Sequence, residues 1–89
     1  MFAARVHISP DALFQEIGGE GVILDLASST YFGLDGVGVR FWQLLQENPD
    51  LQAARDALLA EFEVEADKLE LDLDNLVQKL VSAELASVE

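Results

Sequence analysis

The sequence predicts a small α+β domain in which three antiparallel strands precede three helices. Three observations lead there. Val22, Leu24 and Leu26 alternate with Ile23 and Asp25, and Thr30-Tyr31-Phe32-Gly33-Leu34 returns after the turn composition Ala27-Ser28-Ser29. Asp35 then stands where a helix N-cap is needed, and Val37, Phe41, Leu44 and Leu45 follow at helical spacing. Farther on, Leu69, Leu73, Leu76 and Leu80 fall at i, i+4, i+7 and i+11, one face of a helix. Strands grouped ahead of helices, rather than alternating with them, give this class.

Residues 1–12 carry few signals: Val6-His7-Ile8 reads as a short strand that Ser9-Pro10-Asp11 ends, within a weakly structured arm. Residues 13–89 then form a single domain. Its first strand spans 13–17, and Gly18-Gly19 or Gly19-Glu20-Gly21 supplies a tight turn, because glycine takes positive φ without steric cost. The second and third strands span 21–26 and 30–34. A helix over 36–47 ends at Asn48-Pro49, since the residue before proline is pushed out of the α region. Asp50 caps a second helix with the stripe Leu51, Ala54, Leu58 and Phe62. Residues 61–67, EFEVEAD, alternate like a strand and leave the end of that helix open. The third helix starts near Ala66, and Ser82-Ala83-Glu84-Leu85 breaks its stripe. Residues 85–88 are either a frayed end or a last short strand.

Composition bounds the function. Apolar residues make up 51% of the 89, enough for a real core. The absence of cysteine removes disulfides and thiolate metal sites. The first residues lack a basic segment followed by an apolar core of signal-peptide length, and no apolar run approaches the ~18 residues of a membrane span. A cytoplasmic protein without a membrane partner is the expectation. The net charge is −12, and Arg5, Arg40, Arg55, Lys68 and Lys79 form no cluster. Phosphate neutralisation dominates non-specific affinity for nucleic acid, so such a chain is repelled by DNA and RNA.

The sequence presents no recognisable catalytic constellation. His7 is the lone histidine and has no cysteine to share a zinc ion with. The glycines of Gly33-Leu34-Asp35-Gly36-Val37-Gly38 match neither a dinucleotide fingerprint nor a P-loop, and fit a strand end and a close helix start. Glu70, Asp72 and Asp74 imitate the first ligands of an EF-hand, but Asn75 replaces the required glycine and Val81 the bidentate glutamate. No enzyme, metal or cofactor is implied. The segment 28–33 has neither charge nor proline, the devices that blunt an exposed strand edge, which argues that its edge is open for pairing. The alternative is a central or covered strand with Tyr31 packed. Leu71 lies nearly opposite the leucine stripe, as an exposed residue or a contact.

The runs Leu24-Asp25-Leu26, Tyr31-Phe32-Gly33-Leu34-Asp35 and Phe41-Trp42-Gln43-Leu44-Leu45 resemble the PqqD-like family. It includes the peptide chaperone of pyrroloquinoline quinone synthesis and the stand-alone leader-binding proteins of lasso peptide pathways. The resemblance covers roughly residues 13–86, and the short lasso-type members resemble the chain better because its arm is unlike that of the quinone-cofactor proteins. It implies a winged helix-turn-helix type of fold and Asp25 at the family's usual acidic position. It also implies a non-catalytic RiPP recognition element, a peptide chaperone whose partners are a precursor leader peptide and a modifying enzyme or leader peptidase. In that family the leader pairs antiparallel with the third strand and lies against the third helix. The implied strand positions are Thr30, Tyr31, Phe32 and Gly33; the implied helix positions are Asp72, Leu73 and Leu76. Lys68, Asp72, Asn75 and Lys79 recur beside the leucine face and are expected to rim the groove, although Lys68 and Asp72 also make an ordinary i,i+4 pair. Two alternatives stay open. One is PqqD proper; the other is a winged-helix DNA-binding regulator, against which stand seven acids and one lysine in residues 61–74.

Overall fold

The computed structural model describes residues 5–89. The chain runs β1 (Val6–Ile8), β2 (Ala12–Ile17), β3 (Glu20–Asp25), β4 (Thr30–Leu34), α1 (Gly36–Glu47), α2 (Leu51–Glu61), α3 (Ala66–Ser82) and β5 (Ala86–Val88). Gly18 and Gly19, at φ +61° and +85°, turn β2 into β3. Both angles lie where only glycine is free of a Cβ penalty. Asp25 organises the next turn. Its carboxylate accepts from the Ala27 amide (3.1 Å) and the Ser28 hydroxyl (2.7 Å), and its carbonyl accepts from the Ser29 amide (2.7 Å). The resulting sheet is antiparallel, ordered β2-β3-β4. With the three helices it makes a fold of winged helix-turn-helix type.

The pairing register decides which face of β3 is covered, and it is not the face that the alternation marks. Gly21, Ile23 and Asp25 are buried, Val22 and Leu24 are half-buried, and Leu26 is exposed beyond the strand. Ile23 sits between Phe14 and Phe32 across the sheet, beneath α1. Gly21 permits this closeness, because a Cβ there would lie 2.6 Å from Phe14 Cε1 and 2.7 Å from Val39 Cγ2. The opposite face presents a row in register, Leu13, Leu24 and Tyr31, with Leu13 55% and Tyr31 76% exposed.

Both aspartate caps form: Asp35 accepts from the Gly38 amide (2.8 Å) and Asp50 from that of Gln52 (3.0 Å). α1 buries Phe41 and Trp42, and the Trp42 ring lies 6.3 Å from that of Phe14 at 33°. Arg40 joins α1 to α2 through a two-pronged contact with Glu61, at 2.7 and 3.2 Å. α2 runs to Glu61, so the alternation of residues 61–67 does not become a strand. Phe62 to Glu65 connect two helices and pair with no strand, leaving Val64 40% exposed. α3 buries Leu69, Leu73, Val77 and Leu80, so Leu76 sits at the margin of the stripe rather than within it.

The end of α3 is a Schellman turn. The Leu85 amide donates to the Leu80 carbonyl (2.9 Å) and that of Glu84 to Val81 (3.0 Å), with Glu84 at φ +62° and Leu85 buried against the core. This reverses the chain into β5, so residues 86–88 are a strand rather than a frayed helix. β5 pairs antiparallel with β1, and Val6, within the 1–12 arm, is fully buried. The Val6 amide donates to the Pro49 carbonyl at 2.8 Å, and His7 meets Glu89 through their side chains. Residues 1–4 of the arm lie outside the described residues.

Candidate groove between the β4 edge and α3

β4 pairs with β3 on one side only, so its other edge is open in the sheet. In an antiparallel strand alternate residues direct both backbone groups away from the neighbour, and an edge strand leaves these free for another chain. Tyr31 is exposed and Thr30 and Gly33 stand open on this strand, so the covered-strand alternative is not what forms. Facing the edge is α3, and between them lies a groove of about 550 Å³.

The groove takes Phe32, Gly33 and Leu34 from β4, Asp35, Val37 and Gly38 from the start of α1, and Asp72, Leu73, Asn75, Leu76 and Lys79 from α3. Residues far apart in sequence thus meet at one cleft. Phe32 and Leu76 are half-buried and supply apolar wall; Asp72, Asn75 and Lys79 are exposed and lie along the rim. Of the nine residues expected at a peptide site, Phe32, Gly33, Asp72, Asn75, Leu76 and Lys79 line this groove, while Thr30, Tyr31 and Lys68 do not. Thr30 and Tyr31 lie on the open edge strand, and Lys68 lies one turn before Asp72, holding its carboxylate at 3.5 Å.

Sequence reasoning missed the contribution of the α1 start. Leu34, Asp35, Val37 and Gly38 have ordinary roles as strand end, cap and helix start. They reach the groove because β4 passes into α1 with only Asp35 between them. Gly38 is held there by packing, since a Cβ would lie 3.2 Å from Leu34 Cδ2 and 3.3 Å from Asp35 Oδ1. The signal was the short spacing between strand end and cap. Leu71 is 60% exposed and lies outside the groove.

Two further observations concern other chemistry. Among the described residues no group of three or more His, Cys, Asp or Glu side chains is placed to hold a metal ion, and no helix is long and apolar enough to cross a membrane. The imitation EF-hand ligands lie within α3 as helix, as the leucine stripe requires.

A small sheet whose free edge faces a helix across a cleft with both apolar and polar walls has the geometry that strand addition by an extended chain requires. The family model of Coenzyme PQQ synthesis protein D (PqqD) matches residues 20–86, most of the chain, and the protein belongs to that family. Among solved structures it is similar to TbiB1, determined in complex with the TbiA(beta) leader peptide. The two share 38% identity and a TM-score of 0.83, over 91% of this chain and 94% of TbiB1. No curated protein sequence matches it.

Proposed function

We propose that this protein is a non-catalytic recognition element for the leader of a ribosomally made precursor peptide. The leader adds to the open edge of β4 as a further antiparallel strand, and the protein presents the precursor to a modifying enzyme or leader peptidase. The observation that carries this reading is the groove itself, with an unpaired strand edge on one wall and α3 on the other. The likeness to TbiB1, determined with a leader peptide, supports it. Backbone pairing supplies affinity, and the wall residues Phe32, Leu73 and Leu76 supply side-chain pockets. Thr30, Tyr31 and Gly33 serve as strand positions, Asp72, Asn75 and Lys79 as rim contacts, and Lys68 acts through Asp72. Holding a disordered precursor beside an enzyme raises its effective concentration without any part in the chemistry. We place the protein in lasso peptide biosynthesis, in the cytoplasm and with no cofactor, rather than in quinone-cofactor synthesis, on the closer resemblance of the short lasso-type members.

The test is an amide-shift titration with the TbiA(beta) leader peptide, paired with variants. Shifts should concentrate in residues 30–34 and along the groove side of α3. Asp72→Ala should weaken binding with the thermal midpoint unchanged, Thr30→Ala should do little, and a proline at an outward amide of β4 should do most, by deleting a donor and obstructing the edge. Shifts confined to α1 and α2, sparing 28–34, would show that the edge is not the binding surface.

A further inference from the structure

The groove is charged unevenly along its length. Asp72 and Lys79 both line it, together with Asp35, Val37 and Gly38 just past the carboxyl end of β4. Lys79, but not Asp72, also lines an adjoining cavity with Phe32, Asn75, Gln78, Ser82 and Ala83, which includes no β4 residue beyond Phe32. α3 therefore runs antiparallel to β4, with its acidic stretch toward Leu34 and its lysine toward Phe32. Lys79 is one of five Lys and Arg side chains in a chain whose net charge is −12. Arg40 is held by Glu61, Arg55 by Asp56 and Lys68 by Asp72, whereas Lys79, like Arg5, has no ion-pair partner among the described residues; of these two only Lys79 lines the groove. At the other end, Asp35 uses one carboxylate oxygen to cap Gly38, and the second has no hydrogen bond among the described residues.

Resting on the leader-binding reading above, we propose that the groove selects peptides by the order of their charges. The preferred segment carries a basic side chain, an apolar one two residues later and an acidic one two residues after that, all facing the groove. Each element follows from the geometry. Every pairing in this sheet is antiparallel, and antiparallel pairs are slightly the more stable, so the added strand runs from the Leu34 end toward Thr30. Its amino end then lies beside Asp35 and Asp72, and its carboxyl end beside Lys79. Groove-facing side chains recur every second residue. Asp72 and Lys79 are separated along the helix by about 10 Å at ~1.5 Å per residue. Four residues of strand span about 13 Å, whereas two span about 7 Å. The long flexible lysine closes the smaller gap, and the central apolar side chain rests on Phe32 and Leu76.

The test is selection of a displayed random library of short peptides at low salt, on the wild-type protein and in parallel on the double variant Asp72→Lys/Lys79→Glu. Both positions are exposed, and a matching thermal midpoint confirms that the variant folds. On wild type the basic-x-apolar-x-acidic order should outnumber its reverse by about fivefold, the scale expected of two exposed ion pairs. On the variant the preference should invert. The advantage should fade in about 0.5 M salt, where screening is strong. Peptides enriched without charge order, or in the same order on both proteins, overturn the charge-order inference and leave leader binding standing. Enrichment of no peptide on either protein overturns both.

Discussion

At the scale of single residues, Trp42 is the strongest point of the core. It is fully buried with its ring tilted against that of Phe14, and its indole N–H has no hydrogen-bond partner among the described residues, so its contribution is one of packing. Trp42→Ala should cost about 3–5 kcal/mol. That is a large share of the ~5–15 kcal/mol typical of a whole domain. Thermal unfolding checks this, and a wild-type midpoint would mean that the core lies elsewhere. Glu61 offers a second, pH-dependent prediction. Its hydrogen bond to Arg40 holds the Glu61 carboxyl below the ordinary carboxylate range and raises Arg40. A lowered carboxyl stabilises the fold above its unfolded pKa and ceases to do so as pH falls through the folded one. Glu61→Gln should therefore lower the midpoint at neutral pH, and the gap to wild type should narrow as acid protonates the folded carboxyl. Both groups are exposed, so added salt should shrink the effect as well.

At the scale of elements, the end of α3 shows how a local motif serves a distant contact. Glu84 takes the left-handed conformation that its turn demands, at φ +62°, so that Leu85 can enter the core and β5 can meet β1. A residue with a Cβ is strained there by about 1–2 kcal/mol, against which glycine loses about 0.5–1 kcal/mol of chain entropy. Glu84→Gly should raise the midpoint by a few degrees without altering peptide binding, as melting and titration together would show. The elements were also where the sequence was most legible. Asp35 and Asp50 cap the helices expected of them, and residues 30–34 form the edge strand. Residues 61–67 misled because strand alternation has meaning only when a partner strand pairs with it, and among the described residues none does.

At the scale of the whole molecule, charge governs association. With −12 overall and acids along α3, the protein should not bind random duplex DNA at physiological salt, where non-specific affinity comes from neutralising phosphates. Fluorescence anisotropy with labelled duplex checks this. Saturable binding at micromolar protein would promote the regulator that a winged helix-turn-helix fold also permits.

The sequence by itself determined the elements and their order, because caps, turns and periodicity are local and each is written in a few neighbouring residues. An uncharged strand edge and a polar row beside a leucine face were legible too, each being a pattern along one element. The groove between them was implied by the family resemblance rather than by those patterns. Only the tertiary structure decided which face of β3 turns inward. Val22, Leu24 and Leu26 make the more apolar row, yet Gly21, Ile23 and Asp25 are buried. The register with β2 and β4 places Ile23 between Phe14 and Phe32, and a buried aspartate is acceptable where it holds its own turn. Tertiary structure likewise decided that Val6 is core and that Lys79 and Asp35 share a groove. Each of these depends on contacts between residues remote in sequence, and such contacts are set by the joint packing of all elements rather than by any segment's own pattern.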